Sequence, residues 1–134
     1  MAATDPLPDP HRLEGAPHPR ETRVLFGHAG AEAEALQAFN SGRLHHAWML
    51  TGPKGVGKAT LAWRLSRFLL ATPDDDGGMF AAPSPETLDI TPENPIARRL
   101  LHLAEPRHFL LRRGPNDKET ALSQVISVDE VRKM

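Results

Sequence analysis

The sequence predicts an α/β fold, a three-layer arrangement with a parallel sheet between helices, present here as its N-terminal part. Three observations predict it. A short apolar run, residues 46–51 (HAWMLT), ends at the glycine-rich stretch TGPKGVGKAT. An amphipathic helical pattern follows that stretch directly. A second apolar run, residues 108–111, returns after a further helical pattern. Strands alternating with helices point to a parallel sheet rather than to hairpins.

The 134 residues suit one domain, and 40% of them are hydrophobic, which makes a packed core feasible. Sixteen basic residues, only four of them Lys, face 17 acidic ones, for a net charge of −1. No strongly basic field draws the whole chain onto nucleic acid. Cysteine is absent, which excludes disulfides and Cys-based zinc sites. No apolar run approaches the roughly 18 residues of a membrane helix. The start, MAATDPLPDPHRLEGAPHPRET, has no apolar stretch and so lacks the form of a signal peptide. The sequence reads as a soluble cytoplasmic protein.

Residues 1–21 are proline-rich with little to bury and read as a mobile tail. The ordered domain, residues 22–134, opens with Val24-Leu25-Phe26-Gly27. Residues 31–39 (AEAEALQAF) are helix formers, and Gly42 stands where a C-terminal cap is expected. The run 46–51 takes its strand assignment from the loop behind it. Leu61, Ala62, Leu65, Phe68 and Leu69 then recur at helical spacing, with Arg64 and Arg67 between them, predicting a helix over 58–71. Residues 72–94, dominated by Pro, Gly and Asp, read as a loop insertion. Asn94-Pro95 matches an N-cap with proline at the first helical position, and Ile96, Leu100 and Leu103 support a short helix after it. Residues 108–111 and 125–126 read as strands. Ser127-Val128-Asp129-Glu130 matches a capping box. The same run also fits, less well, an apolar strand ending in a metal-binding acidic pair. A helix opening so close to Met134 leads us to expect an incomplete sequence whose sheet has an unpaired edge. There is no internal repeat.

The stretch from Gly52 to Thr60 carries the chemistry. A polyphosphate needs many converging donors, and backbone N–H groups supply them only where side chains do not obstruct the wrap. Hence the value of Gly52, Gly55 and Gly57, with Val56 between the last two. The helix behind the loop points its positive end at the anion. Lys58 places a charge on the β and γ phosphates. The sequence thus predicts a P-loop that binds ATP through Gly52, Gly55, Val56, Gly57, Lys58, Ala59 and Thr60. The alternative is a Gly-rich turn between core elements. The position after the lysine ordinarily holds a hydroxyl that binds Mg²⁺, and here it is Ala59. Thr60 comes one position late, about 100° around the helix. Magnesium positioning, and hydrolysis with it, is therefore expected to be poor, and no catalytic residue or arginine finger is assigned. None of the seven histidines has metal-site spacing, so no zinc is expected, no protein residue is assigned as a metal ligand, and Mg²⁺ with the nucleotide stays possible but is made doubtful by Ala59. Trp48 and Trp63 read as packing residues.

The segment LFGHAGAEAEALQAFNSGRLHHAWMLTGPKGVGKATLAWRLSRFLLA resembles the delta-prime family of clamp-loader subunits of bacterial DNA polymerase III. The resemblance is strong from Val24 to Ala71 and weaker through RHFLLRR and VISVDEVRK. It rests on SGRLHHAW before the loop, GKATLA within it, and VDEVRK. It implies an AAA+ P-loop NTPase fold and a role as stator in a hetero-pentamer with gamma/tau and delta. That pentamer uses ATP to load the sliding clamp onto primed DNA. It implies further that residues 24–27 lie against the adenine, and that the acidic strand, arginine finger, lid and oligomerisation domain are missing. Many members carry a four-Cys zinc module after the P-loop helix; residues 72–94 stand in its place without any Cys. The sister gamma/tau subunits usually have Thr after the lysine.

Three function classes compete. The first is a stator subunit that binds ATP weakly or not at all. The second is a catalytic P-loop ATPase, such as a gamma/tau-like motor or a small kinase, and Ala59 counts against it. The third is an independent nucleic-acid module, and the neutral charge balance counts against that.

Overall fold

The computed structural model describes residues 9–73, 82–116, 118 and 121–134. Its regular elements are four helices: α1 (Ala29–Asn40), α2 (Lys58–Ala71), α3 (Pro95–Leu101) and α4 (Val128–Arg132). The helix expected over 58–71 forms with those bounds, and the one expected over 31–39 extends to Ala29 and Asn40. Local chemistry sets the ends. Arg43 N–H donates to Ala38 O and Gly42 N–H to Phe39 O, with Gly42 at φ 66, so α1 closes in a Schellman motif. The Asn94 side chain accepts from the Ile96 and Ala97 amides at the start of α3, and Pro95 holds the first turn. The Ser127 hydroxyl accepts from Glu130 N–H and opens α4, the helix start that the capping box predicts.

The parallel sheet does not form among the described residues. Residues 46–51, 108–111 and 125–126 carry no ladder; the one β-bridge, Pro115 with Leu122, belongs to a small turn. A strand exists only by its partner, and among the described residues none of these three runs has one. The expected loop insertion is described only over 72–73 and 82–94. Residues 1–8 of the expected tail also lie outside the described residues.

The core is built on α2. Phe39 of α1 meets Phe68 edge-on at 4.9 Å, and α3 packs on α2 with Leu100 fully buried. The buried face of α2 differs from the expected one. Ala62 is exposed and Leu65 and Leu69 only half-buried, whereas Arg64 and Arg67, expected between the inward positions, are buried. Part of the cover on this side of α2 comes from the expected tail. His18 is buried at 6.3 Å from the Trp63 ring, and Arg67 donates to Arg20 O. The portion 9–21 is thus packed against the body rather than free of it. Trp63 is closed on its other side by His108, with centroids 4.8 Å apart. Trp63 is a packing residue, as expected, and Trp48 is 39% exposed.

Glu105 ties α3 to the segment after it. Its carboxylate accepts from Arg107 Nε at 2.7 Å and Arg99 Nε at 2.8 Å, and these bonds hold its pKa down from 4.5 to about 2. A depressed carboxyl pKa contributes stability above the ordinary value and loses it as pH falls through the folded one. Burial pushes His18 and His108 below 6.5, which costs stability in the same direction as pH falls. Glu105→Gln is therefore expected to lower the melting temperature at neutral pH and to flatten the decline between pH 4.5 and 2. An acid limb identical in both proteins would show that the two arginines do not hold the carboxylate.

Candidate phosphate-binding loop

The loop is turned by its glycines. Gly52, Gly55 and Gly57 have φ of 144, 88 and 95, all in the region that side chains disfavour. Gly57 is also the N-cap of α2, and its carbonyl takes the first helical bond, from Leu61 N–H at 2.9 Å. The amides of Lys58, Ala59 and Thr60 precede that bond and carry the positive end of a 14-residue helix. Lys58 folds back over the loop and donates to Gly52 O at 2.8 Å and Pro53 O at 2.6 Å. An ammonium has three donors, so an anion in the loop would meet one directly and the others by exchange. Val56 is 40% exposed at the crown.

The two residues at the magnesium position separate clearly. Ala59 is half-buried and offers no oxygen. Thr60 is only 8% exposed, one of the buried polar residues of the chain.

The segment before α1 supports the loop from below, a contact that loop spacing does not reveal. His28 Nε2 bonds Val56 O; a carbonyl can only accept, so Nε2 carries the proton. A Cβ on Gly57 would stand 2.7 Å from Leu25 Cδ1. Val24 and Phe26 are 63% and 85% exposed. A cleft of about 260 Å³ opens beside Lys58, between Ala31 and Glu34 of α1 and Met49 and Thr51 of the run 46–51. Among the described residues no cluster of three or more His, Asp or Glu could hold a metal ion, and no helix is long and apolar enough to cross a membrane.

The chain is similar to a class of replication proteins over part of its length. The curated relatives are the DNA polymerase III subunit gamma of Buchnera aphidicola subsp. Acyrthosiphon pisum (strain APS), 35% identical over 51 residues, and that of Buchnera aphidicola subsp. Schizaphis graminum (strain Sg), 33% identical over 51. The matched stretch is 38% of this chain and only 14% of each relative. No family model and no solved structure matches.

Proposed function

We propose that the chain carries the nucleotide loop of a clamp-loader subunit of the DNA polymerase III type, in a delta-prime-like form. In this reading it binds ATP weakly or not at all and serves as a stator. The observation that carries it is the pairing of Lys58 and three positive-φ glycines with Ala59 in place of the metal hydroxyl. The loop keeps the donors that grip phosphate and lacks the group that positions magnesium. The similarity to gamma subunits supports the replication setting. Its partners would be gamma/tau and delta subunits and, through them, the sliding clamp and primed DNA, in the cytoplasm; no zinc takes part. A catalytic, gamma/tau-like ATPase is the second reading, favoured by the names of the relatives.

Titration with ATP, with and without Mg²⁺, tests the proposal. Binding is expected to be weak and nearly indifferent to the metal, with hydrolysis at background. Lys58→Ala should weaken what binding there is by about 1.5–3 kcal/mol, the range for a charge-assisted contact. Ala59→Thr should make the affinity metal-dependent. These measurements belong in a full-length subunit that includes this segment, where an acidic strand can complete the metal site. Turnover of order 1 per second by the wild type alone would replace the stator with the motor.

A further inference from the structure

We propose that His28 is a positioning residue of the phosphate loop: its bond to the Val56 carbonyl fixes the Val56–Gly57 peptide so that the Gly57 N–H is turned toward a bound polyphosphate. This rests on the phosphate-loop reading above and adds to it a residue from outside the loop. A trans peptide is planar, and its C=O and N–H point in opposite directions. His28 Nε2 draws the Val56 carbonyl to its own side. The Gly57 N–H is thereby directed to the other side, away from His28. The loop does not fix this peptide by itself. Gly57 stands at φ 95, and a half-turn of the peptide plane would bring it to about −85, which glycine adopts as readily. The turned plane would aim the Val56 oxygen, with its partial negative charge, where the N–H had been. A bond to that oxygen opposes the turn.

His28 is held independently of the loop. It is the N-cap of α1, and its carbonyl accepts from Glu32 N–H at 3.0 Å. Glu32 in turn takes two bonds from Arg64, which also donates to the Arg23 carbonyl. One guanidinium of α2 thus fastens the chain on both flanks of His28, and the imidazole reaches the loop from a fixed base. The ring makes no capping bond in α1, so the side chain can be changed without removing the helix start. Reach then separates the useful variants. Gln carries its amide nitrogen as many bonds from the backbone as His carries Nε2, whereas that of Asn falls one bond short.

Calorimetric titration with inorganic tripolyphosphate, without metal, on a full-length subunit that includes this segment tests the proposal. His28→Phe and His28→Asn are each expected to weaken binding about fivefold, the worth of one neutral hydrogen bond, and His28→Gln to stay within about twofold of the wild type. Long-range nitrogen–proton spectra of the histidine rings, with the His28 signals assigned by their loss in His28→Gln, should show the proton on Nε2. Binding that Lys58→Ala weakens but His28→Phe leaves unchanged overturns this inference alone. So does a His28→Gln variant that binds as weakly as His28→Phe, or a His28 proton on Nδ1. A wild type that binds no tripolyphosphate overturns the phosphate-loop reading itself, and this inference with it.

Discussion

Gly57→Ala is expected to cost about 2–4 kcal/mol of stability and to abolish anion binding at the loop, and Gly55→Ala to cost clearly less. Both glycines hold a positive φ, worth about 1–2 kcal/mol to any L-residue placed there. They differ in their surroundings. A Cβ at Gly55 meets nothing within 4 Å, whereas at Gly57 it stands 2.7 Å from Leu25 Cδ1 and 3.6 Å from His28 Nε2. Crowding of that kind adds about 1–3 kcal/mol, at the low end because a leucine methyl can move. Gly57 also caps α2, so a change there redirects the amides of Lys58, Ala59 and Thr60. Denaturant melts of the two variants, with Leu25→Ala added to each, separate the effects by a double-mutant cycle. Leu25→Ala should recover part of the Gly57→Ala loss and none of the Gly55→Ala loss. If Gly57→Ala melts like the wild type, the left-handed N-cap does not exist in solution.

The contrast between those two glycines shows where sequence reasoning reaches. Glycines at 52, 55 and 57 follow from what a phosphate wrap requires, and so does the importance of Ala59. The closeness of Leu25 to Gly57 and the bond from His28 to Val56 join residues about thirty apart, and no local pattern announces them. The same division runs through the fold. The ends of α1, α3 and α4 were legible because Gly42, Asn94 and Ser127 act within four residues of themselves. The strands were not, because 46–51 and 108–111 are apolar runs whose pairing depends on other chain segments. Proline content made residues 9–21 read as a tail. What holds them is a few specific contacts, His18 on Trp63 and Arg67 on the Arg20 carbonyl, which composition does not register.

Arg64 was misjudged for the same reason, and its removal has the other large expected effect. Helical periodicity places it between inward positions, where a solvated arginine is the ordinary outcome. Instead its guanidinium is buried and gathers three separate segments. Nε and Nη2 donate to Glu32 of α1 at 2.8 and 3.2 Å, Nη2 to Asp89 at 3.0 Å, and Nη1 to the Arg23 carbonyl. Arg64→Met keeps the stem volume but strands the Glu32 carboxylate, 23% exposed, and the Arg23 carbonyl. Breaking one side of such a pair costs about 3 kcal/mol, a large share of the roughly 5–15 kcal/mol that holds an ordinary domain. Arg64→Lys should recover little of it, because a single ammonium cannot span the planar fork that reaches all three segments. Asp89→Asn should cost under about 1 kcal/mol, since Asp89 is 70% exposed and its pairing is screened. The order of denaturation midpoints, Asp89→Asn well above Arg64→Lys and Arg64→Met, is the check. If all three variants unfold within about 0.5 kcal/mol of the wild type, the guanidinium is solvated in solution and does not join α1 to α2. If the order holds, residues 23–32 are anchored to α2 through Arg64, six residues beyond Lys58. Leu25 and His28, which support the loop, lie within that anchored stretch, so Arg64→Met should also loosen the loop without touching it.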